Sequence, residues 1–163
     1  SLKQSVIQAG SETYSCAAAP VQYASIEAFK GHPEIDDYTQ RARIIMQYIS
    51  QYICDHLDQD KLNMVRPEGG FYGFLEFNPA IHSYENSPDM CQDIINKTGV
   101  ALLPGSAFGQ KPKKLLSRLS FVDINSELIY KRGIIRDFEQ GTLYLEIPKI
   151  REAVTRLNNL NTI

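Results

Sequence analysis

The sequence predicts an α/β (α+β-like) sandwich of modest size, a small sheet with helices packed on it. Three observations lead there. Apolar residues recur at steps of mostly three and four between Ile35 and Leu57, the repeat of a helix with one buried face. Between residues 115 and 122 the two sides of the chain alternate instead, the repeat of a strand. Segments of both kinds follow in the order helix, helix, strands, helix, strands, helix, which favours a sheet covered by helices.

Each element has its own signal. Residues 20–29 set Val21, Ala24, Ile26, Ala28 and Phe29 among small residues, suited to a close-packed helix that Gly31 can stop. The clearest helix carries Ile35, Tyr38, Ala42, Ile45, Ile49, Tyr52 and Leu57, with Arg41, Arg43, Gln47 and Gln51 between them, so one face goes to a core and the other to water. Met64-Val65 and residues 71–77 read as short strands about Pro67-Glu68-Gly69-Gly70, where paired glycines permit backbone angles closed to other residues. Ser87-Pro88 offers an N-cap followed by proline at the first helical position, and Gly99 offers a stop; the stretch between is helical.

Residues 100–103 form a short buried strand running into Pro104-Gly105. On the next strand Leu115, Ser117, Leu119 and Phe121 point one way, while Leu116, Arg118 and Ser120 point the other. Arg118 therefore stands opposite the more apolar face. A last helix starts at about Pro148 and carries Ile150, Val154, Leu157 and Leu160. Residues 123–146 receive no assignment.

The whole, 163 residues, fits one domain. With 43% hydrophobic and 22% charged residues, disordered, collagenous and coiled-coil classes are excluded. A net charge of −2 gives no broad electrostatic footprint for nucleic acid or an anionic membrane, and Lys111-Pro112-Lys113-Lys114 is short enough to be a solvated loop. Cys16, Cys54 and Cys91 are odd in number and widely spaced, which fits reduced cytoplasmic thiols better than a disulfide framework or a zinc site. No signal peptide opens the sequence, and no apolar run approaches the roughly 20 residues that cross a bilayer. His32, His56 and His82 lack metal-ligand spacing and read as surface or helix-end residues; no metal site is expected. Tyr14 and Tyr72 read as packing aromatics, and Ser106 as a turn residue that could also touch a phosphate.

Three stretches carry a resemblance: Gly10-Ser11-Glu12-Thr13-Tyr14 with Ala19-Pro20-Val21-Gln22-Tyr23-Ala24; Pro67-Glu68-Gly69-Gly70-Phe71-Tyr72; and Gly99-Val100-Ala101-Leu102-Leu103-Pro104-Gly105-Ser106-Ala107-Phe108-Gly109, closed by Arg118-Leu119-Ser120-Phe121. In order and spacing they resemble the small domain of the fold-type-I, pyridoxal-phosphate-dependent aminotransferases of class I and II. The resemblance implies that residues 1–163 form the C-terminal small domain of such an enzyme, with residues 1–31 a connecting helical region leading from a large domain. It implies transfer of an amino group between an amino acid and a 2-oxo acid in a cytoplasmic homodimer. The arginine matching Arg118 grips the substrate α-carboxylate, a task for which a planar guanidinium is suited because it forms two parallel hydrogen bonds.

In the family, the Schiff-base lysine and the cradle for pyridoxal phosphate lie upstream of the matching segments. Ser1-Leu2-Lys3 has neither the pairing nor the sequel of that lysine's motif. No catalytic or cofactor-binding residue is therefore expected in this chain, which should neither hold pyridoxal phosphate nor transaminate alone. The family's small domain also receives a segment from the N-terminus, so the face it covers is expected to be exposed and apolar here. Residues 125–145, with Lys131-Arg132-Gly133 and Gln140-Gly141-Thr142, depart from many relatives and leave the subfamily and the substrate open. Lyases and C–C bond-forming synthases reuse this fold, and a stand-alone carboxylate-binding or interaction module is the reading from another class.

Overall fold

The computed structural model describes residues 1–13 and 17–160; Tyr14 and Cys16 lie outside them. The chain divides into two compact units, Ser1–Thr39 and Gln40–Ile163.

The first unit holds α1 (Leu2–Thr13), α2 (Ala19–Phe29) and the opening turns of α3 (Pro33–His56). Pro20 sits in the first turn of α2, where its missing N–H would have had no partner anyway. Gly31 follows at φ 76°, and the chain turns there before α3. Among the described residues of this unit only Gly10 is buried, and Lys3 is exposed on α1.

In the second unit α3 supplies Ile44, Ile45, Ile49 and Ile53 to the core. The apolar stripe read from the sequence is thus corrected at its start. Ile35 and Tyr38 are 41% and 53% exposed, and burial begins at Ile44, where the helix meets the sheet and its partner helices. These are α4 (Ser87–Thr98), with Met90, Cys91 and Ile94, and α6 (Pro148–Asn158), with Ile150, Val154 and Leu157.

The sheet has four strands: β1 (Leu62–Met64), β2 (Tyr72–Phe77), β3 (Leu103–Pro104) and β4 (Leu116–Ser120). Their order is β1-β2-β4-β3, and every pairing is antiparallel. The expected hairpin about residues 67–70 is present, although β1 ends at Met64 and Val65 is exposed. The strand expected over residues 100–103 shrinks to Leu103–Pro104. Val100 and Leu102 are buried ahead of it, and Pro104, which has no N–H to give, suits the edge that β3 occupies.

Two further expectations are corrected. The N-cap of α4 is Asn86, whose side chain accepts from the Asp89 N–H, and not Ser87, whose Oγ is buried without a partner. His82 is neither a surface nor a helix-end residue: it is 3% exposed, edge-on to Phe77 with ring centroids 5.4 Å apart. It lies in the turn after β2, where Phe77 draws it into the apolar interior.

The unassigned stretch folds into the second unit. A 3-10 turn, Ser126–Tyr130, is capped by Asn125, and α5 (Ile134–Glu139) follows. Ile134 and Leu145 bury completely, and Lys131 donates to the Tyr144 carbonyl at 2.7 Å. These contacts tie both ends of the stretch to the core.

Candidate functional site

Alternation along β2 buries Gly73, Leu75 and Phe77 and leaves Tyr72, Phe74 and Glu76 exposed. On β4 Ser117 and Leu119 are buried with Arg118 half-buried between them, while Leu116, at the start of the strand on the Arg118 side, is buried as well. Register then puts Phe74, Arg118 and Leu103 in one row across β2, β4 and β3. This row lies on the face opposite the core, as the sequence predicts for Arg118.

The loop after β3 closes on that row. Gly105 opens a 3-10 turn, Gly105–Phe108, and a Cβ placed on it would come within 2.8 Å of the Leu116 carbonyl oxygen. Only glycine lets the backbone pass β4 so closely. Ser106 belongs to this turn. The turn delivers Phe108 onto Arg118, with the guanidinium carbon 4.4 Å from the ring centroid.

Tyr72 approaches from β2, its ring centroid 4.2 Å from the same carbon. Arg118 thus rests on one ring from the strand on one side of β4 and another from the turn that follows the strand on its other side. Phe74 meets Phe108 edge-on at 5.8 Å, and Phe71 leans on Tyr72 at 4.3 Å. All four aromatic side chains are between 38% and 41% exposed.

What Arg118 lacks is an acid. Its Nε is buried with no partner, and its Nη groups stay open; among the described residues its guanidinium makes no ion pair. Glu76, the one carboxylate β2 carries on this face, is held by Lys114 at 3.6 Å. A half-buried cation so placed is a ready acceptor site for a carboxylate, which would be bound through charge-assisted, paired hydrogen bonds.

The other groups raised by the sequence are not gathered here. Cys54 lies under Met64, its thiol donating to that carbonyl at 3.7 Å, and burial pushes it up from its ordinary range. Cys91 is buried in α4 and pushed up to about 11 by desolvation, which keeps it an inert thiol. Asp93 joins Tyr84 and Lys97 at 2.6 and 2.8 Å; those hydrogen bonds, Lys97 first, hold its carboxyl below the usual carboxylate range. No group of three His, Cys, Asp or Glu among the described residues is placed to hold a metal ion. No helix among them is long and apolar enough to cross a membrane.

A cavity of about 310 Å³ lies elsewhere in the second unit, lined by Gly99, Val100, Leu119, Lys149, Arg156 and others. Both its cations are engaged, Lys149 by Asp123 and Arg156 by Glu152, each at 2.6 Å. Arg118, beside the Gly105–Phe108 turn, makes no such ion pair among the described residues. The sequence reading missed that Tyr72 and Phe108 serve this arginine. The signal available for Tyr72 was that it and Phe74 fall on the strand face opposite Leu75 and Phe77, where polar residues would be expected; Phe108 had none.

Known proteins resemble this chain throughout. A family model described as aminotransferase class I and II matches residues 1–128. A probable N-acetyl-LL-diaminopimelate aminotransferase of Bacillus subtilis (strain 168) is 34% identical over 150 residues, covering 89% of this chain and 33% of that protein. A probable aspartate/prephenate aminotransferase of Aquifex aeolicus (strain VF5) is 28% identical over 100 residues, 61% of this chain and 25% of its own length. An Escherichia coli aminotransferase structure superposes with a TM-score of 0.61 at 16% identity, covering 91% of this chain and 32% of that one. The aspartate aminotransferase of Rhizobium meliloti gives 0.56 at 23%, over 94% and 33%. At such identities the structures show a shared fold. The chain spans a quarter to a third of the length of these curated relatives.

Proposed function

Because the chain belongs to the class I and II aminotransferases, we propose that it is the C-terminal small-domain portion of an enzyme moving an amino group between an amino acid and a 2-oxo acid. Arg118 holds the substrate α-carboxylate. The observation that carries this reading is the guanidinium itself, without a carboxylate partner among the described residues and seated against Phe108 of the glycine-bearing turn.

Pyridoxal phosphate is the cofactor of this family, and the residues described here do not by themselves make its site. Lys30, Lys61, Lys97, Lys114 and Lys149 are each drawn to a carboxylate, and Lys131 to a carbonyl. Lys3, Lys111 and Lys113 are exposed. An amine that attacks a carbonyl must shed its proton in a sheltered site, and none of these is so sheltered. This chain's share of the work is to bind and orient the substrate's acid group; the cofactor chemistry belongs to a large domain, to which residues 1–31 lead as a connecting helical region. The chain alone has no transaminase activity. The intact protein is a cytoplasmic homodimer.

Orientation matters because a correctly held reactant has already lost the freedom that a bimolecular encounter costs. In the intact protein carrying this chain, Arg118→Lys keeps the charge and loses the fork. It lowers kcat/KM for amino acid and 2-oxo acid alike by about one to two orders of magnitude, the worth of a charged, paired hydrogen bond. Steady-state kinetics with an unchanged kcat/KM would remove Arg118 from the site.

A further inference from the structure

We propose that Tyr72 and Phe108 are positioning residues for Arg118, an aromatic clamp that fixes its guanidinium and leaves the Nη end as the edge offered to a ligand. The proposal rests on the reading of Arg118 as the carboxylate-holding group, and adds what holds that group in place before any ligand arrives.

An arginine on an exposed sheet face ordinarily sweeps through many rotamers, and binding a ligand must stop that motion. Here the stopping is done in advance. Two rings lie 4.2 and 4.4 Å from one guanidinium carbon, well within the roughly 6 Å over which a cation is drawn to an aromatic face. The rings are themselves braced, Tyr72 by Phe71 and Phe108 by Phe74. Their origins add to the constraint. Tyr72 is fixed by the register of β2 on β4, which pairs it with Ser120, and Phe108 is fixed by the tight passage of Gly105 past Leu116.

The clamp also decides which atoms remain reachable. Nε is closed off from solvent and has no partner, so a carboxylate meets the Nη groups. Simple packing of a long side chain across an apolar surface would not need two braced rings, and it would not leave the cation without an acid among the described residues when Glu76 stands on the same face paired to Lys114.

The test uses the 163-residue chain with isotope-labelled arginine, the Arg118 guanidinium resonances being identified by their loss in Arg118→Lys. In the native chain and in Tyr72→Phe, those protons carry a ring-current shift. In Tyr72→Leu and in Phe108→Leu, which keep apolar bulk, the shift shrinks. Acetate is then titrated against chloride at equal ionic strength. It moves the Arg118 signal in the native chain, and its affinity falls roughly threefold for each ring removed and roughly tenfold for the double Leu variant; Tyr72→Phe retains native affinity. Absence of a ring-current shift in the native chain overturns the clamp, and so does an acetate affinity unchanged in the double Leu variant. A ring-current shift that is present, with acetate acting no differently from chloride, supports the clamp and overturns the carboxylate reading alone.

Discussion

A buried histidine gives the second unit a dependence on acid. The His82 imidazole is held below its ordinary value of 6.5, first because burial disfavours its charged form and second because the Lys61 ammonium repels it. Its Nε2 has no partner, and Phe77 and Tyr84 flank the ring. The unfolded chain therefore takes up a proton near pH 6.5 that the folded chain still refuses, and stability rises with pH wherever the unfolded state binds more protons. The contribution is complete above pH 6.5 and is lost as pH falls from there toward the lower folded value. Urea unfolding between pH 7.5 and 5.5, conditions of about one unit either side of that value, is expected to show a falling midpoint for the native chain. His82→Phe fills a similar volume with nothing to titrate, and its midpoint is expected to fall less. Parallel pH profiles for the two would assign the acid sensitivity to other groups.

Among the elements, α4 shows how far a cap can be read from sequence. Asn86 satisfies the Asp89 N–H at 2.9 Å, whereas the Ser87 hydroxyl makes no bond. Asn86→Ala is expected to cost about 1 kcal/mol. Ser87→Ala, which removes an unsatisfied buried oxygen, should be neutral or stabilising. Denaturant midpoints with an unchanged slope check both, and equal losses would mean that the two share the cap. Asn86 and Ser87 both carry N-cap character, and the backbone angles choose between them. The strand at Leu116–Ser120 was legible because its period of two leaves one choice of face, and it placed Arg118 correctly. The helices at residues 20–29, 35–57 and 148–158 were legible from spacing and proline for the same kind of reason. By contrast, Ile134 and Leu145 are buried in a stretch whose short turns hold too few residues for any period to show. The outward aromatics Tyr72 and Phe74 were a visible signal on β2, but their meeting with Phe108 and Arg118 was not, because the strand order β1-β2-β4-β3 alone brings positions 72, 108 and 118 together.

At the scale of the molecule, stability is expected to be divided as burial is. The second unit owns a continuous core running from Ile44 to Leu160. In the first, α1 and α2 have 12 and 11 residues, lengths at which a helix without tertiary packing is marginal in water. Leu2, Val6, Ile7, Val21, Ile26 and Phe29 are all exposed, so the apolar groups that should anchor these helices contribute little. Opening a segment that buries almost nothing costs almost nothing, and amide exchange reports that cost directly. Hydrogen exchange followed by mass spectrometry is expected to give rapid exchange through residues 2–29 and strong protection in the later turns of α3, in β2, β4 and α6. In the intact protein proposed above, the same exposed side chains would have a large domain to pack on, and α1 and α2 should become protected. Equal protection of both units in the chain alone would mean that α1 and α2 already have the packing this chain leaves exposed, and would remove the reason for reading residues 1–31 as a connection to a further domain.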